Sequence, residues 1–147
     1  MTKKFFCIVP CTILFALSLF AQAQQPTNIP RIGFQSAASP SGIAARIEAF
    51  RQGMRKLGYV EGKNIVIEYR YAEGKLDRLR EFAAEFVRLK VNLIVAAGPS
   101  PTRAAKEATP TIPIVMGFDS DPVGNGLVAT LARPGGKVTG LSTLARR

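Results

Sequence analysis

The chain has 147 residues, and a length of about 100–200 residues is usual for one domain. An apolar content of 47% with 20% charged residues suffices to fill a core, which excludes a chain disordered by composition. No histidine is present. The commonest general base and a common metal ligand are therefore missing, and we expect neither a cofactor nor a metal.

Residues 1–23 have the pattern of a secretory signal peptide. Lys3 and Lys4 form a short basic start, an apolar run extends from Phe5 to Phe20, and small residues at Ala21 and Ala23 suit cleavage by a signal peptidase. The alternative is a membrane anchor, but this interrupted run is shorter than the roughly 20 residues of a spanning helix. We therefore expect a periplasmic mature protein without a stable membrane anchor.

Cleavage after Ala23 leaves 124 residues without cysteine, because Cys7 and Cys11 both lie in the leader. The absence of both cysteine and histidine from the mature chain excludes structural zinc sites, cysteine nucleophiles and histidine-based triads. The mature chain keeps 18 basic and 10 acidic residues, a net charge of +8. Because the basic residues are scattered and the leader directs export, we expect a solvated basic surface and no nucleic-acid partner.

A polar tail over residues 24–30 precedes the first predicted strand, Arg31–Ser36. Apolar residues then recur in steps of four and three, the spacing of one helix face, and Gly58 follows as a left-handed helix stop. The stripe consists of Ile43, Ile47, Phe50, Met54 and Leu57.

Strand and helix patterns continue to alternate beyond this helix. The second strand, Ile65–Ala72, alternates apolar and charged residues like an edge strand, whereas the third, Val91–Ala97, is almost continuously apolar and predicts cover on both faces. A short helix over residues 98–108 and a fourth apolar strand, Ile112–Phe118, follow. The helical stripe between the second and third strands consists of Leu76, Leu79, Phe82, Phe86 and Leu89.

The last part of the chain predicts a loop over residues 119–122, a weak glycine-containing helix up to Ala132, a turn over residues 133–136 and a fifth strand, Val138–Leu141. Five strands alternating with four helices favour an α/β fold with a mostly parallel sheet and helices on both faces. Right-handed crossovers then favour the strand order 2-1-3-4-5, with the second strand at an edge and the third and fourth inside.

Three loops are candidates for a ligand site, because ligands of such sheets bind beyond the carboxyl ends of the strands, near the point where strand order reverses. The loops after the first, third and fourth strands cover residues 36–39, 98–102 and 119–121, and their residues are mostly small or polar. Small side chains let a ligand approach the backbone, and free N–H groups at a helix start favour an anion such as a carboxylate.

Individual side chains in these loops have two interpretations each. Ser100 and Thr102 could donate hydroxyl hydrogen bonds to a ligand, and Asp119 or Asp121 could meet a ligand ammonium. Alternatively, Ser100 and Asp121, each followed by proline, have the pattern of a helix cap and first turn. Residues 36–39 could be only a turn.

The enzyme motifs that the sequence approaches are incomplete. Residues 98–102 resemble a nucleophile elbow except at the last position, which should be glycine, and no histidine is present to activate the serine. Residues 124–129 have dinucleotide-binding spacing but follow an Asp-Pro cap, and the chain ends before the ribose-binding acid expected about 20 residues on. Two carboxylates at 119 and 121 alone make a poor cation site. The chain is predicted not to be an enzyme, and an exported α/β enzyme is the alternative.

Several stretches carry a family resemblance. They are residues 30–34 (PRIGF), 50–59 (FRQGMRKLGY), 60–74 (VEGKNIVIEYRYAEG), 121–124 (DPVG), 131–136 (LARPGG) and 139–142 (TGLS). Together these stretches resemble the ABC-transporter substrate-binding proteins of the tryptophan/tyrosine-uptake type. The resemblance implies the type I periplasmic-binding-protein fold, in which two Rossmann-like lobes close on a small solute and hand it to ABC permease subunits.

The same resemblance implies the ligand class and its contacts. An amino acid or similar small molecule is the implied solute, aromatic amino acids being assigned to some members. The family's contacts map here onto Ser36, Ala37, Ala38, Gly98, Pro99, Ser100, Thr102, Phe118, Asp119 and Asp121. Members of the family are longer, so residues 31–147 are expected to form the amino-terminal lobe of a truncated or partial chain with its second lobe missing. A truncated product without solute binding is a further alternative.

Overall fold

The computed structural model describes residues 29–143. The predicted leader and most of the tail lie outside the described residues, as do residues 144–147. Within the described residues, five parallel strands form one sheet in the order β2-β1-β3-β4-β5, which confirms the predicted fold class and strand order. The strands are β1 Arg31–Ser36, β2 Val66–Tyr71, β3 Leu93–Ala97, β4 Ile114–Asp119 and β5 Val138–Ser142.

Within residues 29–143, three α-helices connect the first four strands and lie on both faces of the sheet. They are α1 Ala44–Lys56, preceded by a 3-10 turn at Ser41–Ile43, α2 Arg78–Arg88 and α3 Pro99–Ala108. The first helix ends as predicted, because Gly58 adopts φ +86° and the N–H groups of Gly58 and Tyr59 donate to the carbonyls of Arg55 and Met54. No helix within residues 29–143 has the length and apolarity needed to cross a membrane.

The strand β2 occupies the predicted edge, and five of its six residues are half-buried. Its Ile67 and Tyr69 pack with the α1 side of the core, while Arg70 points to the other face and forms a two-pronged ion pair with Glu85 of α2, with N–O distances of 2.6 and 3.0 Å. This alternation explains why the second strand carries charged residues at alternate positions, whereas the inner strand β3 is entirely apolar.

Each face of the sheet has its own apolar core. On the α1 face the buried core residues are Ile32, Phe34, Ile43, Ile47, Ile65, Ile67 and Val95. On the α2 and α3 face they are Phe86, Val91, Ile94, Ala96, Ala105, Ile114, Met116, Leu127, Val128 and Val138. Phe86 lies directly on β1, because a Cβ atom at Gly33 would be only 2.7 Å from its ring.

Two residues of the predicted apolar stripes are exposed. Leu57 is 75% exposed because it forms the C-cap of α1, beyond the last buried turn. Leu76 is 53% exposed and precedes α2, which begins two residues later. The remaining members of both stripes are buried or half-buried, so the predicted faces of α1 and α2 are those that meet the core.

The predicted fourth helix, up to Ala132, is wrong. The Asn125 N–H donates to the Asp121 carbonyl and the Leu127 N–H to the Pro122 carbonyl, which amounts to a single turn. Gly126 then adopts φ +66°, a left-handed conformation that ends any right-handed helix. The chain continues as turns, and its Leu127 and Val128 pack into the core on the α3 face.

Candidate functional site

The carboxyl ends of the strands bring the three predicted loops to one edge of the sheet. Ser36 at the end of β1 is in register with Ala97 at the end of β3, and Asp119 at the end of β4 is in register with Ser142 of β5. The strand order reverses between β1 and β3, since β1 lies between β2 and β3. The loops therefore meet at the switch point where α/β sheets bind ligands.

The loop after β1 presents backbone rather than side chains. Ser36 is buried, and its hydroxyl oxygen accepts the Ala38 N–H at 3.1 Å, so the hydroxyl shapes the turn. The Ala37 carbonyl accepts the Gly74 N–H at 2.8 Å, which ties this loop to the loop after β2. Ala37 and Ala38 are half-exposed with methyl side chains, and they leave room at the edge for a ligand.

The start of α3 differs from the predicted cap. Gly98 is the N-cap at φ +112°, and the helix begins at Pro99, so the interpretation of Ser100 as N-cap is wrong. Pro99 and Pro101 have no N–H, and the Thr102 N–H donates to the Gly98 carbonyl. Among the first four residues of the helix, the exposed Ser100 therefore supplies the one N–H without a partner within residues 29–143, fewer than the several donors that a helix start usually offers.

Thr102 lies away from the edge. Its side chain is fully buried, and its hydroxyl donates to the Gly98 carbonyl at 2.7 Å. This bond fixes the left-handed Gly98 at the first turn of α3. The geometry thus gives Thr102 a role in holding the helix start.

The two carboxylates after β4 have different environments. Asp119 is buried; its Oδ1 accepts the Asp121 N–H at 2.7 Å, and both its oxygens lie within 3.1 Å of the Asn125 amide nitrogen. Asp121 is exposed, and its Oδ1 accepts the Gly124 N–H at 2.9 Å. Both carboxylate oxygens of Asp119 therefore accept hydrogen bonds within the loop. Asp121 caps one turn, and its side chain is exposed to solvent. Asn125, which the sequence did not single out, is the amide that clamps Asp119.

Phe118 places a half-buried aromatic ring at this edge. A Cβ atom at Gly98 would lie 3.3 Å from the ring, so the glycine makes space for it. The exposed Arg46 of α1 covers the ring with its guanidinium 4.6 Å from the centroid, a cation–π geometry. Arg46 was missed in the sequence because it lies on the polar side of α1 and 72 residues from the ring.

The predicted residues thus separate into two groups. Those that reach the open edge are Ala37, Ala38, Pro99, Ser100, Phe118 and Asp121, whereas the buried Ser36, Gly98, Thr102 and Asp119 are engaged within the chain. Small residues, the N–H of Ser100, the aromatic ring of Phe118 and the exposed carboxylate of Asp121 suit a small zwitterion better than a bulky or highly charged ligand.

Comparisons with known proteins agree on one family. The sequence profile of the family described as ABC transporter substrate binding protein matches residues 31–146. A tyrosine-binding protein from Clostridioides difficile strain R20291 is 34% identical over 111 residues, which cover 76% of this chain and 32% of that protein.

Solved structures with a similar fold include proteins from three organisms. The ligand-free, open form of a substrate-binding protein with adhesive properties from Clostridium difficile has a TM-score of 0.75, 32% identity and coverage of 80% of this chain and 40% of its own. A conserved domain protein from Vibrio cholerae has a TM-score of 0.75, 33% identity and coverage of 79% and 39%. An ABC domain from Streptococcus pneumoniae in complex with L-Trp has a TM-score of 0.72, 26% identity and coverage of 77% and 38%. The chain spans 32–40% of the length of these relatives.

Proposed function

The chain belongs to the family of ABC transporter substrate-binding proteins, and on that premise we propose that it forms one lobe of an exported, non-catalytic solute-binding protein. The lobe captures an amino acid, aromatic ones included, and the loaded protein delivers it to the permease subunits of an importer. Residues 1–23 direct export to the periplasm and are removed. A second lobe, corresponding to the part of the relatives that this chain does not span, completes the site.

The observation that carries this proposal is the convergence of the loops after β1, β3 and β4 at one edge. The ligand carboxylate accepts the Ser100 N–H at the start of α3, where the helix dipole also favours an anion. The ligand ammonium pairs with Asp121, the exposed carboxylate of the edge. An apolar or aromatic ligand side chain contacts the ring of Phe118. The names of the tyrosine-binding relative and of the L-Trp complex support this ligand class.

One lobe alone binds weakly under this proposal. A micromolar ligand has a binding free energy of about −8 kcal/mol, and half of that corresponds to a dissociation constant of about 1 mM. The second lobe therefore supplies both contacts and enclosure. Closure of the lobes changes the surface shown to the permease, which requires that the ligand bind the closed form better than the open one.

The direct test is calorimetric titration of a two-lobed chimera. Residues 31–143 of this chain replace the matched stretch of the C. difficile tyrosine-binding protein, and L-tyrosine, L-tryptophan and L-alanine are titrated into it. Phe118→Ala should weaken tyrosine binding by about two- to tenfold, because an aromatic pair contributes about 0.5–1.5 kcal/mol. Asp121→Asn keeps the acceptor for the Gly124 N–H but removes the charge, and it should weaken binding of all three amino acids.

Leu57→Ala is the matched control, since Leu57 is exposed and belongs to none of the edge loops. Unchanged affinity in both edge variants would place the ligand elsewhere. A folded chimera that binds none of the amino acids, beside a relative that does, would reject the proposed ligand class.

A further inference from the structure

Gln35 places an amide group in the core between the sheet and α3. It lies near the carboxyl end of β1 and is fully buried. Its side chain is on the α2 and α3 face, opposite to that of Phe34. Paired strands flank it on both sides, because it is in register with Arg70 of β2 and Ala96 of β3. An amide at such a position lowers the stability of the fold unless its polar atoms find partners.

One half of this amide is paired with the start of α3. Gln35 Nε2 donates to the Pro101 carbonyl oxygen at 2.7 Å, across a separation of 66 residues. The nitrogen is the atom that faces Pro101, since a carbonyl oxygen only accepts. The Pro101 carbonyl also has its helical donor in the N–H of Ala105, because α3 extends over Pro99–Ala108. The bond from Gln35 is therefore additional to what the helix needs.

The other half of the amide is unpaired. Gln35 Oε1 is buried and has no hydrogen-bond partner within residues 29–143. A buried acceptor in this state has lost its hydrogen bonds to water and gained none in return. An apolar side chain of the same length would fill the position without that loss. Stability alone therefore does not explain an amide here, and its one bond requires another reason.

The first turn of α3 supplies that reason, because few bonds of its own hold it in place. Pro99 and Pro101 have no N–H, and Ser100 donates its N–H to no group within residues 29–143. The turn is closed internally by Thr102, whose N–H and hydroxyl donate to the same carbonyl before it. Gln35 adds a bond from outside the helix, and it does so from a strand that is itself paired on both sides.

We propose that Gln35 is a positioning residue of the amino-acid site, an inference that rests on the proposed function. Ser100 immediately precedes Pro101, so a bond that fixes the Pro101 carbonyl also fixes the Ser100 N–H that meets the ligand carboxylate. Gln35 in turn immediately precedes Ser36, where the loop after β1 begins. One side chain thus sets two of the three edge loops relative to each other before the ligand arrives, and a donor that is already held in place binds at a lower entropic cost.

Gln35→Met separates positioning from stability. Methionine has a similar length and adapts to the space, while both polar atoms of the amide are removed. The matched control is Ile67→Val in β2, a buried position on the opposite face of the sheet. Three quantities are measured in the full chain. They are the urea midpoint of unfolding, the NMR order parameter of each backbone amide without ligand, and the dissociation constant of L-tryptophan from an NMR titration.

We expect Gln35→Met to keep or raise the urea midpoint, because the unpaired oxygen is gone. The order parameter of the Ser100 amide should fall from about 0.85 toward about 0.6, which is the range from rigid to flexible backbone. The dissociation constant of L-tryptophan should rise about three- to tenfold, the loss expected for one hydrogen bond. Ile67→Val should lower the midpoint and leave the other two quantities unchanged. Gln35→Leu repeats the test if the methionine variant does not fold.

Two results would overturn the role of Gln35. An unchanged order parameter at Ser100, whatever the midpoint, would show that the bond does not hold the helix start. A lowered order parameter with unchanged affinity for L-tryptophan would show that the position of this turn does not matter to the site. Failure of the proposed function has a different signature, namely no L-tryptophan shifts in the folded, unsubstituted chain, whatever the order parameters of the variants.

Discussion

The close packing of Phe86 on β1 makes Gly33→Ala a sensitive test of the fold. The added Cβ atom would lie 2.7–2.8 Å from three atoms of the Phe86 ring, which is fully buried. Carbon atoms in contact are about 3.5–4.0 Å apart, so the ring must withdraw by roughly 1 Å into a core that has little free space. Overpacking of this kind costs about 1–3 kcal/mol, and the lower entropy of the unfolded alanine chain offsets about 0.4–1 kcal/mol of it.

The same substitution should have the opposite effect at Gly53, which provides a matched control. Gly53 is an exposed residue inside α1, and a Cβ atom added there would have no neighbouring atom within 4 Å. Alanine there should stabilise the helix by about 0.5–1 kcal/mol. The free energy of unfolding is measured by urea denaturation followed by circular dichroism. With a urea dependence of about 1–3 kcal/mol per molar, Gly33→Ala should lower the midpoint by about 0.5–1.5 M, and Gly53→Ala should raise it.

A raised or unchanged midpoint for Gly33→Ala, alongside a raised midpoint for Gly53→Ala, would refute the reasoning. It would mean that α2 does not press Phe86 against the first strand. The contact between α2 and the sheet would then have to be redrawn, although the strand order would remain.

Three further predictions concern single side chains. Hydrogen bonds from Arg70 lower the pKa of Glu85, so this pair stabilises the fold above the unfolded carboxyl pKa, and the stabilisation is lost as the pH falls through the lowered folded pKa. Glu85→Gln should therefore lower the free energy of unfolding by about 0.3–1 kcal/mol at neutral pH and leave it unchanged in strong acid. Urea denaturation measured at a series of pH values tests this, and an equal loss at every pH would contradict the ion pair. Asp119→Ala should lower the free energy of unfolding by about 1–3 kcal/mol, because it leaves the Asp121 N–H and the Asn125 amide without their acceptor. Asn125→Ala, measured in parallel, should lower it by less. Gly98→Ala should lower the melting temperature, because φ +112° strains any residue with a side chain and the added Cβ would lie 3.3 Å from Phe118. An unchanged melting temperature would count against that geometry.

The arrangement of the sheet could be predicted because it depends on patterns local to each strand. Alternating charge in the second strand and continuous apolarity in the third fix an edge and an interior position, and the crossover rule supplies the order. The fourth helix could not be predicted reliably, since its pattern is weak and a single left-handed residue, Gly126, ends it after one turn.

The position of the edge loops followed from the topology, but the roles of their side chains did not. Whether the hydroxyl of Thr102 faces a ligand or the Gly98 carbonyl depends on where α3 begins, which differs by two residues from the predicted cap. The clamp of Asn125 on Asp119 and the stacking of Arg46 on Phe118 join residues from separate turns and elements. Contacts of this kind depend on the folded geometry and have no signature in spacing or composition.

The most direct measurement of the central claim is an amide-resolved NMR titration of this chain with L-tryptophan at millimolar concentration. Weak binding by one lobe should move the resonances of the edge, at Ala37, Ala38, Ser100, Phe118 and Asp121, and leave those of Gly53 and Leu57 unchanged. Saturable shifts confined to other surfaces, or no shifts in a folded chain across the range in which one lobe should bind, would contradict the assignment of this edge as the amino-acid site.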